Sequence, residues 1–251
     1  MQIAFENKHI RLKNCRYGPM LYLPADQYIG QALDKYGEFS EGEIFFLRSF
    51  IRSDWTVLDL GANHGSHTVA FAKVAKIVHA FEPQRILFQL LCANVALNAL
   101  TNVYTHQAAV GRSCGTINVP TLNYTKSGNF GAVVLGGTGG EEVPLVTVDS
   151  LALPACHFIK MDVEGSEGLA ILGMASLFER NQIGKLIIEF YPPRIKESGL
   201  NPADCLKVLL QNGFKIYNVD NEIKKIEPIN GDGIEKLCEE NPQTCLLCIK
   251  Q

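Results

Sequence analysis

The chain has 251 residues, 47% of them apolar and 20% charged, which is ordinary globular composition with enough apolar material for one large α/β domain or two small ones. A net charge of −3 without a Lys/Arg run argues against a general nucleic-acid binder, and no apolar window is long enough to cross a membrane. Residues 1–14 lack the continuous apolar core of a secretory leader, so the expected compartment is the cytoplasm. The eight cysteines are scattered, and Cys92, Cys205 and Cys248 fall in expected helices and a strand, as buried thiols do in a reducing compartment. Cys238, Cys245 and Cys248 could be read as a metal cluster. Cys245 and Cys248, however, lie in the apolar run T-C-L-L-C-I with no fourth ligand nearby, and no metal site is assigned.

In chain order, residues 1–25 read as short strands, I-R-L and M-L-Y-L, turning around Gly18-Pro19. Helices are expected over 26–35 and 40–51, the second opened by Ser40 with Glu43 at capping-box spacing. Residues 1–52 therefore form a cap packed on the main domain, with the 36–39 loop placed to act as a lid. Residues 53–251 form the main domain.

Residues 55–83 organise the rest. Thr56 to Leu60 is an apolar run suited to a buried parallel strand, Gly61 and Gly65 bracket a turn, and 66–75 carries apolar residues at helical spacing. Ile77 to Phe81 returns as a second strand with Glu82 and Pro83 at its carboxyl end. This is a βαβ unit whose ligand lies over the strand ends. Gly61-Ala62-Asn63-His64-Gly65 lacks the second and third glycines of the dinucleotide fingerprint, and the Asp59 carboxylate would repel a pyrophosphate. A ligand without phosphate and with a positive sulfonium fits better. S-adenosylmethionine is such a ligand, with Glu82 placed to accept from both ribose hydroxyls.

A helix follows over 84–98 and a third strand over 102–107. The small residues after it leave room for a flat ring, so the adenine is expected near Gln107 and Ala108. Strands at 114–120 and 142–148 form an inserted hairpin joined by a Gly-rich loop. A fourth strand ends in Lys160-Met161-Asp162-Val163-Glu164, followed by a helix through Phe178. A fifth strand ends in Glu189-Phe190-Tyr191. Residues 202–212 form a helix closed by Gly213, and 214–219 and 244–250 are the last two strands. The result is an α/β fold, a Rossmann-like, mostly parallel seven-stranded sheet with helices on both faces.

The segments V-L-D-L-G-A-N-H-G-S-H-T, F-E-P at 81–83, A-A-V-G at 108–111, T-V-D-S-L at 147–151 and K-M-D-V-E-G-S-E at 160–167 resemble the FkbM-type class I methyltransferases. The resemblance runs over roughly residues 15–250. It implies S-adenosylmethionine as cofactor and O-methylation of sugars or natural products. By the same resemblance Asp59, Gly61, Asn63 and Gly65, with Ala62 between them, hold the methionine and ribose part. Glu82 and Pro83 flank the ribose, and Asp162 lies beside the donor. His64 stands where the family often has an aliphatic residue.

Methyl transfer needs alignment of nucleophile, carbon and sulfur and, for an alcohol, a group to accept the proton. Asp162, Glu164 and Glu189, at the ends of the fourth and fifth strands, are the candidate catalytic carboxylates, with His64 as a further candidate. Paired carboxylates raise one pKa or, alternatively, bind a divalent cation that orients hydroxyls. The expected partner is a small-molecule acceptor such as a sugar or glycosylated natural product. The sequence leaves the oligomeric state open. Two other readings compete: an inactive S-adenosylmethionine-binding interaction module, and a nicotinamide oxidoreductase, which the incomplete glycine fingerprint disfavours.

Overall fold

The computed structural model describes residues 3–7, 9–153, 155–180, 182–220, 225–240 and 243–251. The chain opens with three antiparallel strands, β1 (Ile3–Glu6), β2 (Arg11–Cys15) and β3 (Gly18–Tyr22), then two helices, α1 (Ile29–Tyr36) and α2 (Glu41–Arg48). Gly18-Pro19 lies inside β3 rather than at the expected turn, which falls one step earlier at Arg16-Tyr17. Ser40 does not cap α2 as expected. It adopts a left-handed φ of 48° and its side chain makes no cap hydrogen bond, while Glu43 turns toward His67 instead.

The βαβ unit forms as the apolar pattern requires: β4 (Thr56–Leu60), α3 (Ser66–Ala72) and β5 (Ile77–Phe81), followed by α4 (Arg85–Leu97) and β6 (Val103–His106). The small sheet β7 (Ala109–Val110), β8 (Gly115–Val119) and β9 (Glu141–Val146) contains the expected antiparallel hairpin, with β7 added in parallel to β9. After β10 (Cys156–Met161) the expected single helix is two: α5 (Glu167–Leu172) and α6 (Ala175–Glu179). The break falls at Gly173, where a Cβ would lie 2.1 Å from the Gly111 carbonyl oxygen, so this glycine is fixed by backbone contact with the segment leading to β8. Then come β11 (Ile183–Phe190), α7 (Pro192–Glu197), α8 (Pro202–Gln211) and β12 (Phe214–Val219). The chain continues through β13 (Ile226–Ile229), α9 (Gly231–Glu240) and β14 (Thr244–Lys250).

Among the described residues the main sheet has eight strands in the order β13-β12-β14-β11-β10-β4-β5-β6. From β6 to β11 all pairs are parallel and follow the doubly wound order, with β14 inserted antiparallel between β11 and β12. The seven expected strands are all present. The eighth, β13, has three of its four residues exposed and pairs antiparallel on the outer edge of β12; without apolar alternation it leaves no sequence signal.

The period-two alternation of side chains divides the core between the two faces. Leu58, Leu60, Ile159 and Met161 meet the helices α5, α6 and α8 on one face. Val57, Phe158, Ile187 and Leu247 meet Leu47 of α2 and Phe71 of α3 on the other. The amino-terminal strands are tied in through Asn94 of α4. Its Oδ1 accepts from the Leu21 backbone at 2.6 Å, and its Nδ2 donates to the Leu21 carbonyl at 2.9 Å and the His64 carbonyl at 2.7 Å. No helix among the described residues is long and apolar enough to cross a membrane.

Candidate active site

The parallel register places the chemistry. Lys160 pairs with Asp59 on one side and Ile187 on the other, so one residue row beyond the strands' ends brings Gly61, Asp162 and Glu189 side by side. Gly61 has φ of 84°, and a Cβ there would lie 1.8 Å from the Asp162 carbonyl oxygen, so the glycine turn and the D-V-E-G turn touch backbone to backbone. The backbone amides of Gly61 and Ala62 donate to the Phe81 carbonyl at 3.0 and 2.8 Å, which folds the loop back over β5.

Glu82 is buried at the end of β5. Its two oxygens accept from the backbone amides of Asn63 and Gln84, each at 2.9 Å. Burial raises its carboxyl to about 7, with these two amides partly opposing and the Asp162 and Asp59 charges adding to the rise. Beside it an apolar slot is walled by Phe81, Pro83, Ala108 and Val110, and closed by Val133 and Leu135 from the inserted loop. Gln84 holds the loop there: its Nε2 donates to the Phe130 carbonyl at 2.7 Å and its Oε1 accepts from the Tyr124 hydroxyl at 2.9 Å.

The slot opens into a wider polar cleft sharing Gly61, Glu82, Gly131, Asp162 and Glu164 with it. Lys160, buried in β10, donates to Asp162 Oδ2 at 3.0 Å and lies 4.0 Å from Asp59 Oδ1. Burial disfavours its ammonium, but the carboxylates of Asp162, Asp59 and Glu43 more than compensate and hold its pKa above the ordinary lysine value. Burial likewise opposes the Asp162 carboxylate, yet Lys160 and a hydrogen bond with Glu189 keep its pKa below the ordinary value. Glu189 moves the other way, up to about 9, through burial and the Asp162 charge. The two carboxylates therefore titrate as a pair, with Glu189 pushed up and Asp162 held down. Glu189 also accepts from Gln243 Nε2 at 2.6 Å.

Most of the residues expected from sequence line these two spaces: Gly61, Ala62, Asn63, Glu82, Pro83, Ala108, Asp162, Glu164 and Glu189. Asp59 sits one layer beneath, fully buried, accepting from Thr68 Oγ1 at 2.6 Å. Gly65 and Gln107 are outside the lining, and Gln107 reaches Glu141 of β9 instead, at 3.5 Å. His64 is fully buried away from the cleft with neither ring nitrogen hydrogen-bonded, and burial lowers its pKa to about 3. The histidine in the cleft wall is His67, whose Nε2 lies 3.4 Å from Glu43 Oε2. Asp162 and Glu189, weighed as cation ligands, are engaged with each other and with Lys160. Among the described residues no group of three His, Cys, Asp or Glu is placed to hold a metal ion.

Several residues carry no sequence signal for their roles. Glu167 accepts from the Val163 and Gly165 amides at 3.0 and 2.9 Å and so shapes the D-V-E-G turn; burial raises its carboxyl to about 7. Glu43 was readable only as part of a cap. Arg194, which lines the cleft from the first turn of α7, stands in a Pro-Pro-Arg run just past the end of β11, a position that alone could have flagged it.

The Methyltransferase FkbM domain profile matches residues 59–216, from Asp59 of β4 to Ile216 of β12. The chain belongs to the FkbM methyltransferase family. It is thus an S-adenosylmethionine-dependent methyltransferase. No curated protein matches it. Among solved structures it is similar to a Streptococcus mutans protein described as a methyltransferase and solved with SAH, at 15% identity and TM-score 0.49, over 83% of this chain and 96% of that one. It is also similar to the FkbM methyltransferase of Methylobacillus flagellatus, at 17% identity and TM-score 0.48, over 89% of this chain and 55% of that one. An rRNA methylase from Streptococcus thermophilus matches at 12% identity and TM-score 0.46, over 83% and 93%. At these identities the likeness says nothing of an acceptor.

The FkbM site suits this cofactor on its own chemistry. Asp59, Glu82 and Asp162 put three carboxylates around the glycine turn, which disfavours a pyrophosphate and favours a cationic ligand. Among the described residues Asp59 Oδ1 and Ser66 Oγ are buried without hydrogen-bond partners, with Lys160 Nζ 4.0 Å from the former.

Proposed function

We propose that the enzyme methylates a hydroxyl of a small polar acceptor, such as a sugar or glycosylated natural product. The observation that carries this reading is the Asp162 carboxylate, held by Lys160 at 3.0 Å beside Glu189 in the cleft wall next to the slot. On this reading Glu82 and the apolar slot take the adenosine part of S-adenosylmethionine, and Gly61 to Asn63 with Asp162 take the methionine part. The cofactor supplies an electrophilic methyl on a sulfonium. A neutral hydroxyl becomes strongly acidic as its oxygen gains a methyl group, so even a carboxylate of low pKa accepts its proton. Asp162, the member of the pair whose pKa is held down, takes that role. Glu189 orients it, and Lys160 keeps it charged in a buried setting. Glu164 and the loop residues Asn129 and Gly131 line the same cleft and exclude water when the acceptor fills it. Residues 1–52 act as a cap on this side: Tyr28, Ile29 and Phe39 stand in the cleft wall.

Two measurements test the reading. Calorimetric titration of S-adenosylmethionine and S-adenosylhomocysteine should show binding that Glu82→Ala loses. Transfer of labelled methyl should then be followed to a panel of mono- and disaccharides, glycosylated small molecules and total RNA. Label appearing on a carbohydrate hydroxyl, and falling by roughly 10²–10⁴-fold in Asp162→Asn with cofactor binding kept, supports it. Label on RNA alone would overturn the small-acceptor reading.

A further inference from the structure

Among the described residues the Arg194 side chain has no hydrogen-bond or ion-pair partner. Its neighbours in the cleft have theirs: Lys160 is held by Asp162, and His67 by Glu43. The Arg194 guanidinium, half-buried in the cleft wall, makes no hydrogen bond and no ion pair with any described residue. Its charge lowers the Glu164 carboxyl's pKa, against burial and the Asp162 charge, which raise it.

The backbone carrying Arg194 is not free to swing it elsewhere. Tyr191 leads into Pro192-Pro193, whose rings fix φ in the first turn of α7. The D-V-E-G turn packs directly beneath: Gly165, at φ of 99°, has no room for a side chain because its Cβ would stand 3.0 Å from both the Arg194 Cβ and the Arg194 carbonyl oxygen. The turn that shapes the Asp162 backbone therefore also fixes the Arg194 root. Around it the cleft presents aromatic faces from Tyr28, Phe39 and Tyr191, and the polar side chains of Asn129 and Gln243. Aromatic faces with planar polar groups suit the alternating apolar and hydroxyl-bearing surfaces of a sugar ring. A guanidinium carried on this fixed root adds a fork matched to a carboxylate or phosphate.

We propose that the acceptor is anionic: a hydroxylated molecule of the sugar class bearing a carboxylate or a phosphate, which Arg194 engages while Asp162 faces the hydroxyl to be methylated. This rests on the acceptor reading above. The negative group gives the Arg194 guanidinium a direct partner, where Glu164 acts on it only through its charge, and it sets which hydroxyl reaches Asp162.

The test uses the full chain loaded with S-adenosylhomocysteine, so that only the acceptor space is open. Binding of glucuronic acid, galacturonic acid and glucose 6-phosphate is compared with that of glucose and galactose by calorimetry or ligand-observed NMR, in wild type and Arg194→Gln. Tighter binding of an acidic probe than of its neutral counterpart, weakened about tenfold to a hundredfold in Arg194→Gln with S-adenosylhomocysteine affinity unchanged, is the expected result. Uronic acids against the sugar phosphate distinguish the two sources of charge. Absence of any preference for the acidic probes, or a preference that survives Arg194→Gln, overturns the proposal. So does a variant that loosens S-adenosylhomocysteine instead, since Arg194 would then serve the cofactor carboxylate. Methyl transfer to a neutral sugar, unaffected by Arg194→Gln, would sink this inference and leave the proposed function standing. Transfer to RNA without binding of any small probe would sink both.

Discussion

The side chain of Gln84 bridges the cofactor strand and the inserted loop, donating to the Phe130 carbonyl at 2.7 Å while accepting from the Tyr124 hydroxyl at 2.9 Å. Two residues upstream, Glu82 accepts from the Gln84 backbone amide, so the same residue that closes the slot also orients its carboxylate. The Tyr124 and Phe130 rings meet edge to face at 5.0 Å, making the held segment a small packed unit rather than a loose turn. Replacing Gln84 with Leu strands a hydroxyl and a carbonyl, at about 1–3 kcal/mol for each partner left buried and unpaired. The expected outcome is an S-adenosylhomocysteine affinity weakened about tenfold, with the fold retained. An unchanged affinity by calorimetry would show that the loop does not close the site.

Glu82 gives cofactor binding a pH dependence. Its carboxyl is raised in the folded protein from 4.5 to about 7, chiefly by burial. In the free protein this group therefore contributes stability below about pH 4.5, and that contribution is lost as pH rises through 7. Binding runs the opposite way, because ribose hydroxyls need the ionised form as acceptor. Affinity for S-adenosylhomocysteine is expected to rise from pH 6 to 8 and then level off, with Glu82→Gln flat across the same interval. A wild-type profile that is equally flat would remove Glu82 from the ribose.

Gly61→Ala forces a side chain into a left-handed φ of 84° and against the Asp162 carbonyl, 1.8 Å from where its Cβ would lie. Relieving the overlap means separating the two turns that bring Asp59 and Asp162 together. A loss of at least about 3 kcal/mol of stability follows, together with loss of cofactor binding. For a chain of this size that corresponds to a drop in melting temperature of roughly 6–12 °C. A variant that melts as wild type does would show the turns can part without cost.

Lys160→Met removes the cation that holds Asp162 and lies near Asp59. The buried Asp59 and the part-exposed Asp162 are left without it; breaking a buried pair costs about 3–5 kcal/mol, and the exposure of Asp162 puts this case at the lower end. Urea unfolding should show this loss, smaller at pH 5 than at pH 8 because protonation relieves the repulsion. Equal losses at the two values would mean that Asp162 finds another partner.

The sheet was legible because each parallel strand carries its own signal: β4, β5, β10 and β11 are apolar runs, and their ends fall at Gly61, Glu82, Asp162 and Glu189. Strand ends converge in an open parallel sheet, so reading the ends was enough to gather most of the cleft. The failures share a different origin. His64 lies on the glycine turn and His67 three residues on in the first turn of α3, and only the rotation at that junction decides which ring enters the core and which reaches the cleft. Ser40 and Glu43 have capping-box spacing, but a long-range contact with His67 overrode the local one. Gln84 and Arg194 act across elements distant in sequence, through Phe130 and Gly165, and spacing does not report such contacts. The solvent-facing β13 lacks the apolar patterning on which such reading depends, whereas α9 carries Ile234, Leu237 and Cys238 at helical spacing and was legible in principle.

The insertion of β14 between β11 and β12 has a consequence for how the protein is made. Every other strand of the sheet precedes β14 in the chain, yet β12 touches the rest of the sheet only through it. On the ribosome the left half, β6 to β11, can assemble as it emerges, while β12 with its attached β13 must wait as an unpaired ribbon. Until β14 arrives, β11 presents an open apolar edge at Leu186, Ile187 and Ile188, and Gln243, just before β14, cannot reach Glu189. The Glu189–Gln243 contact thus forms only when the strand of this sheet that stands latest in the chain has joined it.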